Sequence, residues 1–266
     1  MLARDLMSKP SYVVSPKDDI ISVGSHMYKE RISGAFVVDK GMVVGILTKG
    51  GFAVCVRQAC ESGNAKLTVG DVMDKSFETV SPDGSFLSVL SKFMSVPYRI
   101  DRIPVVEDGK LVGEIVKNRM VELYAERMKG KFKVKQLMEY KPSFVYDYTP
   151  LSRVIDELFA STEKRVLVKK GEKVVGIITM LDVAAQVFKL YKMGNCGPRL
   201  SEIKAEDIMT PDFTTLKPNE DAVNAAKIMT EKGIGGITVE GTDIEGIITK
   251  NDLIKGLKMV EEGVST

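Results

Sequence analysis

A Thr-x-x-Asp pattern occurs at Thr179–Asp182 and again at Thr249–Asp252, each time at the start of a predicted helix. The first backbone N–H groups of a helix have no partner within the helix. One interpretation is a capping box, in which the hydroxyl and the carboxylate satisfy these groups reciprocally. The other is a binding site, because a helix N-terminus attracts a phosphate and a carboxylate pairs with two vicinal hydroxyls. The same residues can serve both roles.

This helix start belongs to a unit that is repeated four times. The phrases "GILTKGG", "GEIVKNR", "GIITMLD" and "GIITKND" begin at glycines separated by 68, 63 and 70 residues, namely Gly45, Gly113, Gly176 and Gly246. The segments "DLM", "DVM", "QLM" and "DIM" precede them in step and end at Met7, Met73, Met138 and Met209. Two anchors that stay in step over four copies indicate internal repeats.

Each repeat shows the same order of predicted elements, which is a short strand, a helix, a strand pair and a second helix. In the stretch "RIPVVEDGKLVGEIV" the turn "EDGK" joins two apolar runs, as expected of a β-hairpin. The repeats are predicted at residues 1–62, 66–129, 132–194 and 201–262. A unit of about 60 residues cannot cover both faces of its small sheet, so we expect neighbouring copies to pack in pairs.

The composition argues against several classes of function. A net charge of +2 provides no general attraction to nucleic acid or to an anionic membrane. The single histidine, His26, and three cysteines without a C-x-x-C pair (Cys55, Cys60 and Cys196) indicate neither a metal site nor a disulfide framework. No nucleophile–base pair is visible, so we expect no catalysis. Without a signal peptide or a run of about 18 apolar residues, the expected location is the cytoplasm.

The four ordered copies resemble the CBS domain, whose units pair into Bateman modules. The resemblance runs from about Ala3 to Met259 and rests on "DIMT" (Asp207 to Thr210), "RIPVVEDGKLVGEI" (Arg102 to Ile115) and "GIITKND". Four tandem copies also resemble the γ subunit of AMP-activated protein kinase and archaeal stand-alone proteins. The resemblance implies an α+β fold of four β-α-β-β-α repeats, paired into two Bateman modules that form a flat pseudo-fourfold disk.

The resemblance also implies a function, which is a non-catalytic sensor that binds AMP, ADP, ATP or an S-adenosyl compound. Asp182 and Asp252 would contact ribose hydroxyls, and Thr179 and Thr249 would contact phosphate. These residues belong to the third and fourth repeats, so binding is expected mainly in the C-terminal pair. No cofactor is expected besides this ligand.

The first two repeats depart from the pattern. Thr48 is followed by Gly51 where the aspartate would be, and Val116 and Arg119 replace both residues in the second repeat. Loss of the carboxylate would cost a bound ribose about 1.5–3 kcal/mol, or about tenfold to hundredfold in affinity. We therefore expect the N-terminal pair to be structural, to bind protein or to recognise something else.

A second set of candidates comes from a position at a fixed distance before each anchoring glycine. Arg102 and Arg165 occupy it in the second and third repeats, and Gly235 occupies it in the fourth. The resemblance implies that Arg102, Arg165 and the neighbouring Lys164 contact phosphate, and the alternative is a solvated surface charge. The stretch "GIGGI" would allow Gly235 and Ile237 to approach a base through the backbone.

Two functions from different classes remain open at this point. The first is the adenosine sensor, with a regulated protein partner and a homodimer expected from the resemblance. The second is a structural adaptor whose repeats only make protein contacts. The sequence names neither the ligand nor the partner.

Overall fold

The structure, a computed structural model, describes residues 1–53, 57, 67–95, 100–193 and 196–264, without the side chains of residues 196 and 197. Cys55 and Cys60, and the side chain of Cys196, lie outside this described part. The chain divides into two compact units. The first unit comprises Met1–Ser11, Phe77–Pro142 and Thr214–Thr266, and the second comprises Tyr12–Ser76 and Ser143–Phe213. The bodies of repeats 2 and 4 are therefore in the first unit, and those of repeats 1 and 3 are in the second.

The elements follow the predicted order. Repeat 1 comprises a 3-10 helix (Ala3–Asp5), β1 (Val13–Val14), α1 (Ile20–Lys29), β2 (Gly34–Asp39), β3 (Met42–Thr48) and a helix α2, described at residues 49–53 and 57. Repeat 2 comprises α3 (Val69–Val72), α4 (Phe86–Met94), β4 (Arg102–Glu107), β5 (Lys110–Val116) and α5 (Lys117–Arg127). Repeat 3 comprises α6 (Val134–Leu137), β6 (Glu139–Tyr140), β7 (Phe144–Tyr146), α7 (Leu151–Ala160), β8 (Arg165–Lys170), β9 (Lys173–Thr179) and α8 (Met180–Met193). The short α9 (Cys196–Arg199) lies between repeats 3 and 4. Repeat 4 comprises α10 (Ala205–Ile208), β10 (Thr215–Leu216), α11 (Ala222–Lys232), β11 (Gly236–Glu240), β12 (Ile244–Thr249) and α12 (Lys250–Glu261).

The sheets have one parallel and one antiparallel connection in repeats 1, 3 and 4. The short strand pairs in parallel with the first strand of the hairpin, as β7 does with β8, and the hairpin strands pair antiparallel. Repeat 2 differs, because its predicted first strand, "FETVSP", forms only a single bridge from Val80 to Val105 in the described part. The prediction of a strand there was wrong, since this run makes too few ladder bonds.

Local chemistry explains where the elements begin and end. The hairpin of repeat 2 turns at Asp108 and Gly109, both with positive φ, as the motif Asp-Gly predicts. Helix α11 begins after Asp221, whose carboxylate accepts a hydrogen bond from the Val223 N–H at 2.9 Å. It ends at Gly233 with φ of 65°, a conformation that glycine adopts at little cost.

Each anchoring methionine contacts an anchoring glycine, but this glycine belongs to the neighbouring repeat and not to its own. We call the segment around each anchoring methionine a leader. The methionine lies against the anchoring glycine of the neighbouring repeat, in the pairs Met7–Gly113, Met73–Gly45, Met138–Gly246 and Met209–Gly176. The leaders also hydrogen-bond to these strands, as where Thr210 N–H donates to Ile177 O at 2.9 Å and Ile177 N–H donates to Thr210 O at 3.0 Å. Repeats 1 and 2, and repeats 3 and 4, therefore exchange leaders. The compact units group the repeat bodies differently, since repeat 1 shares a unit with repeat 3 and repeat 2 with repeat 4. The predicted pairing of neighbouring copies therefore holds for the leaders and not for these units.

The glycines are required by this contact rather than by backbone conformation. A Cβ atom at Gly176 would lie 2.6 Å from Met209 Sδ and 3.1 Å from Met209 Cβ. A Cβ atom at Gly246 would lie 2.5 Å from the Glu139 carbonyl oxygen. A larger side chain at either glycine would force the leader methionine or the leader backbone to shift.

The second unit has one core shared by its two repeats. Val37 and Leu47 of repeat 1 belong to the same buried cluster as Val168 and Ile178 of repeat 3. No helix within the described ranges has the length and apolar character needed to cross a membrane.

Substitution of Gly176 tests the leader exchange. Gly176→Ala should lower the free energy of unfolding by about 1–3 kcal/mol, because the added methyl overpacks against Met209. Shortening the partner in the double variant Gly176→Ala/Met209→Ala should relieve part of that cost, with a coupling energy of about 0.5–3 kcal/mol. Urea unfolding of the four members of this cycle measures it. Strictly additive effects would show that the two residues are not in contact.

Candidate functional site

Both Thr-x-x-Asp patterns form the predicted helix caps. The Thr179 N–H and the Thr179 hydroxyl donate to Oδ2 of Asp182 at 2.8 and 2.7 Å. The Thr249 N–H and hydroxyl donate to Oδ2 of Asp252 at 2.7 and 2.8 Å. In both motifs the carboxylate therefore reaches back to the N–H of the residue that precedes the helix, which is the aspartate's part of the predicted capping box at the starts of α8 and α12.

A third copy of the pattern shows that this geometry alone does not identify a ligand site. In the leader of repeat 2, the Thr68 N–H and hydroxyl donate to Oδ2 of Asp71 at 2.8 and 2.7 Å. Both bonds lower the pKa of the Asp71 carboxyl below its ordinary value, and the bond from the backbone N–H has the larger effect. Sequence reasoning missed this copy, which caps the four-residue α3 on an exposed surface.

Burial distinguishes the two candidate caps. Thr249 and Asp252 are only 1% and 8% exposed, whereas Thr179 and Asp182 are half-buried. Both hydrogen bonds to Asp182 use Oδ2, which leaves Oδ1 as an acceptor for a ligand hydroxyl. The third-repeat site is therefore the more accessible of the two.

The equivalent positions of the first two repeats have other roles. The Thr48 hydroxyl accepts a hydrogen bond from the Gly51 N–H at 3.0 Å and so caps α2 without a carboxylate. Val116 has no side chain that can cap α5. Arg119 forms ion pairs with Glu122 at 3.1 Å and Glu126 at 3.5 Å.

Of the predicted basic residues, the structure brings Arg165 to the third-repeat motif. Arg165 lies directly opposite Thr179 in the antiparallel register of β8 and β9, so both side chains are on one face of the sheet. Its guanidinium donates from Nη1 to the Glu163 carbonyl oxygen at 2.8 Å. Lys164 turns away, because its Nζ donates to the Phe159 carbonyl oxygen at 2.6 Å near the end of α7.

Arg102 lies in a mostly buried ion pair of the first unit. Its Nη1 contacts Glu114 Oε2 at 3.0 Å and also hydrogen-bonds to Ser11. The side chains of Arg102 and Glu114 are 14% and 3% exposed. Sequence reasoning named Arg102 for phosphate and missed its partner, although a glutamate within the apolar strand "KLVGEIV" is the signal that could have indicated it.

In the fourth repeat the observed register shifts the glycine by one position. Gly236, not Gly235, lies opposite Thr249. In the other three hairpins the residue opposite the threonine or valine that ends the second strand lies one position further back in the sequence. The Gly235 carbonyl accepts the Lys250 N–H at 3.3 Å, and Ile237 is buried in β11. The predicted backbone approach to a base would therefore involve a segment that already contacts the start of α12.

A reciprocal pair of hydrogen bonds joins α5 and α12 in the first unit. Lys117 Nζ donates to Asn251 Oδ1 at 2.9 Å, and Lys250 Nζ donates to Asn118 Oδ1 at 2.6 Å. We call this the Lys–Asn clasp. Sequence reasoning missed it, although the dipeptide Lys-Asn at the same place in repeats 2 and 4 was its signal.

Among the described residues, no group of three or more His, Cys, Asp or Glu side chains is placed to hold a metal ion. His26 lies on α1 with its ring 4.5 Å from that of Tyr12, which is a packing contact.

Comparison with known proteins gives a consistent result. The model of the CBS domain family matches residues 3–53, 69–126, 134–189 and 205–258. Uncharacterized protein MJ1404 of Methanocaldococcus jannaschii is 24% identical over 98% of this chain, which spans 62% of that relative's length. A crystal structure of M. jannaschii MJ1225, named as a candidate archaeal homologue of γ-AMPK, has a TM-score of 0.86 at 18% identity and covers 97% of this chain and 100% of its own. An uncharacterized conserved protein of Pyrococcus horikoshii has a TM-score of 0.64 at 18% identity, with the same coverage of both chains.

Removing the buried carboxylate of Glu114 tests the structural role of Arg102. Glu114→Gln should lower the free energy of unfolding by about 2–4 kcal/mol, because it removes the negative charge that the mostly buried Arg102 guanidinium contacts. The matched change Glu122→Gln, in an exposed pair with Arg119, should cost at most about 1 kcal/mol. Urea unfolding compares them, and equal effects would contradict the buried pair.

Proposed function

This chain belongs to the CBS domain family, and we propose that it is a regulatory, non-catalytic sensor of adenosine-containing ligands. The ligand class is AMP, ADP, ATP or an S-adenosyl compound. Its principal site is the third-repeat motif of Thr179 and Asp182, with Arg165 on the neighbouring strand, and its second site is the fourth-repeat motif of Thr249 and Asp252.

The observation that carries the proposal is the placement of Thr179 and Asp182 at the start of α8, with Arg165 opposite Thr179 in the strand register. Asp182 offers a carboxylate oxygen for ribose hydroxyls, and the Thr179 hydroxyl lies at a helix N-terminus that favours phosphate. Arg165 adds a cation across the strand pair from Thr179. The exposed Thr68–Asp71 cap, on a four-residue helix, has no facing strand of this kind.

The two sites should fill in order. At the third-repeat site a ligand can reach Asp182 without rearrangement of a buried group. At the fourth-repeat site it has to displace contacts around the buried Asp252 and the neighbouring Lys–Asn clasp. The free energy needed to break those contacts is subtracted from the binding free energy, so the fourth-repeat site has the lower affinity.

Regulation follows from the position of the cap. Asp182 belongs to α8, whose next turns carry the fully buried Val183 and Val187 into the core of the second unit. A ligand that redirects the Asp182 carboxylate therefore acts on a helix that the whole unit packs against. The resulting change in affinity for a regulated protein is limited to the difference in ligand contacts between the two states.

One observation favours the second candidate function, a protein-binding adaptor. Tyr146 and Tyr148 in and after the short strand β7 are 49% and 62% exposed, and their rings stack at 5.4 Å. Exposed aromatic side chains of this kind are common at protein interfaces. The adaptor function predicts protein contacts here that do not depend on any nucleotide.

Calorimetry on paired variants tests the sensor. The first titrations use AMP, ADP, ATP, S-adenosylmethionine and methylthioadenosine. GTP is the control for recognition of the adenine base. For the compound that binds, Asp182→Asn should weaken affinity by about tenfold to hundredfold, because one charge-assisted bond to ribose is lost.

Asp71→Asn is the matched control, since it removes the same helix cap from a leader. It should leave affinity unchanged. An equal loss in both variants would mean that only folding was perturbed. Absence of binding by every adenosine compound to the wild-type chain would favour the adaptor.

A further inference from the structure

A run of basic residues begins at the end of α5 and continues into the leader of repeat 3. Residues 127–138, "RMKGKFKVKQLM", contain five cationic residues and no aspartate or glutamate, whereas the whole chain has a net charge of only +2. The remainder of the chain is therefore net negative. The exposed lysines of this run form what we call the basic strip, namely Lys129, Lys131, Lys133 and Lys135.

The backbone of the basic strip is fixed on the first unit. Phe132 and Val134, which alternate with the lysines, are 3% and 0% exposed. The Val134 N–H donates to the Glu220 carbonyl oxygen, and the Ala222 N–H donates to the Phe132 carbonyl oxygen, both at 2.9 Å. The segment is therefore held in place, and its lysine side chains lie at the surface.

The lysines of the basic strip have no acidic partner among the residues that the structure describes. None of the four ammonium groups forms an ion pair or a hydrogen bond there. The nearby carboxylates accept backbone N–H groups instead. Asp221 Oδ2 accepts from Gly130 at 2.8 Å, and Glu220 Oε1 accepts from Lys217 at 2.8 Å. Because like charges on neighbouring residues repel one another, the strip favours a molecule that brings negative charge.

The internal repeats show that this leader keeps its cap without a negative charge. Asp5, Asp71 and Asp207 cap the other three leaders, where each carboxylate accepts the backbone N–H three residues earlier at 2.8 Å. The leader of repeat 3 has Gln136 at this position, and its Oε1 accepts the Lys133 N–H at 2.7 Å. Of the four leaders, the basic one is thus the one whose cap leaves the lysine charges uncompensated.

The extent of the charge indicates the chemistry of the partner. Lysine ammonium groups on flexible stems attract anions without demanding one fixed geometry. A long polyanion such as nucleic acid would extend over the remainder of the chain, which is net negative, whereas a short acidic peptide can contact the strip alone. Tyr140 is 54% exposed, and its hydroxyl donates to the Lys135 carbonyl oxygen at 3.0 Å. An exposed tyrosine beside the charges is typical of a protein interface.

We propose that the basic strip is a docking surface for a short acidic segment of a partner protein. Carboxylates of the segment pair with Lys131, Lys133 and Lys135, and the Tyr140 ring contacts a neighbouring apolar side chain. The surface belongs to the first unit, whereas the principal adenosine site proposed above belongs to the second. The proposal does not rest on adenosine binding, so the two can fail separately.

Fluorescence anisotropy with the full chain tests the docking surface. The probe is a labelled peptide of alternating glutamate and serine, and its neutral control has glutamine in place of glutamate. The acidic peptide should bind at low salt and weaken as the ionic strength rises, because exposed charges are screened, and the neutral peptide should not bind. Lys131→Gln/Lys133→Gln/Lys135→Gln, the strip variant, should weaken the acidic peptide by about tenfold, because three exposed ion pairs are removed.

Two further variants control for total charge and for the position of the charge. Lys40→Gln/Lys110→Gln/Lys173→Gln removes the same charge from exposed hairpin positions and should leave the affinity nearly unchanged. Gln136→Asp gives this leader the cap residue of the other three, so it should fold. It should weaken the acidic peptide by about threefold, because it places a negative charge in the strip.

Three kinds of result would overturn the proposal. The first is absence of acidic-peptide binding by the wild-type chain, or unchanged binding by the strip variant. The second is tighter binding of single-stranded DNA or of anionic phospholipid vesicles that the strip variant loses, which would assign the strip to nucleic acid or to a membrane surface. The third is a wild-type dimer, detected by light scattering, that the strip variant does not form, which would make the occupant a second copy of the chain.

Discussion

The packing of each leader methionine against a glycine of the neighbouring repeat is the constraint on which the remaining structure depends. The contact allows the leader backbone to hydrogen-bond along the strand just beyond that glycine, as Thr210 does with Ile177. That strand ends at the threonine or valine that begins the second helix. The leader of repeat 4 thus supports β9, which carries Thr179 and lies beside Arg165. Placement of the candidate site follows from a steric requirement at Gly176.

The helix caps have a structural role that is independent of the binding proposed for two of them. A carboxylate that accepts the N–H and hydroxyl of its own N-cap residue is held at the end of the helix whether or not a ligand is present. The Thr68–Asp71 cap has this geometry on an exposed four-residue helix, so capping is sufficient to explain the motif there. At Asp182 the capping carboxylate is accompanied by a long helix and by a cation on the next strand. The proposed binding at Asp182 therefore rests on the surroundings of the cap and not on the cap alone.

The two units have developed differently from one repeat. In the first, the Lys–Asn clasp joins the starts of α5 and α12, and large apolar side chains fill the helix interface. In the second, Gly50 and Met180 stand at two of the clasp positions, and the rings of Phe52 and Phe188 lie against Gly24. The two units therefore fill their helix interfaces with different residues. Because the repeats provide an internal reference, this difference can be assigned to named residues.

The sequence by itself determined the number of repeats, the order of their elements, the family and the helix caps, because these depend on local spacing and on contacts between residues three or four apart. Only the tertiary structure decided which methionine meets which glycine, since the spacing is the same whether the leaders stay or exchange. It also decided that Arg102 pairs with Glu114 and that Gly236 takes the place predicted for Gly235. A buried partner and a shift in strand register both depend on segments that are distant in the chain. The sequence named Thr179, Asp182 and Arg165, and the strand register brought the arginine beside the threonine.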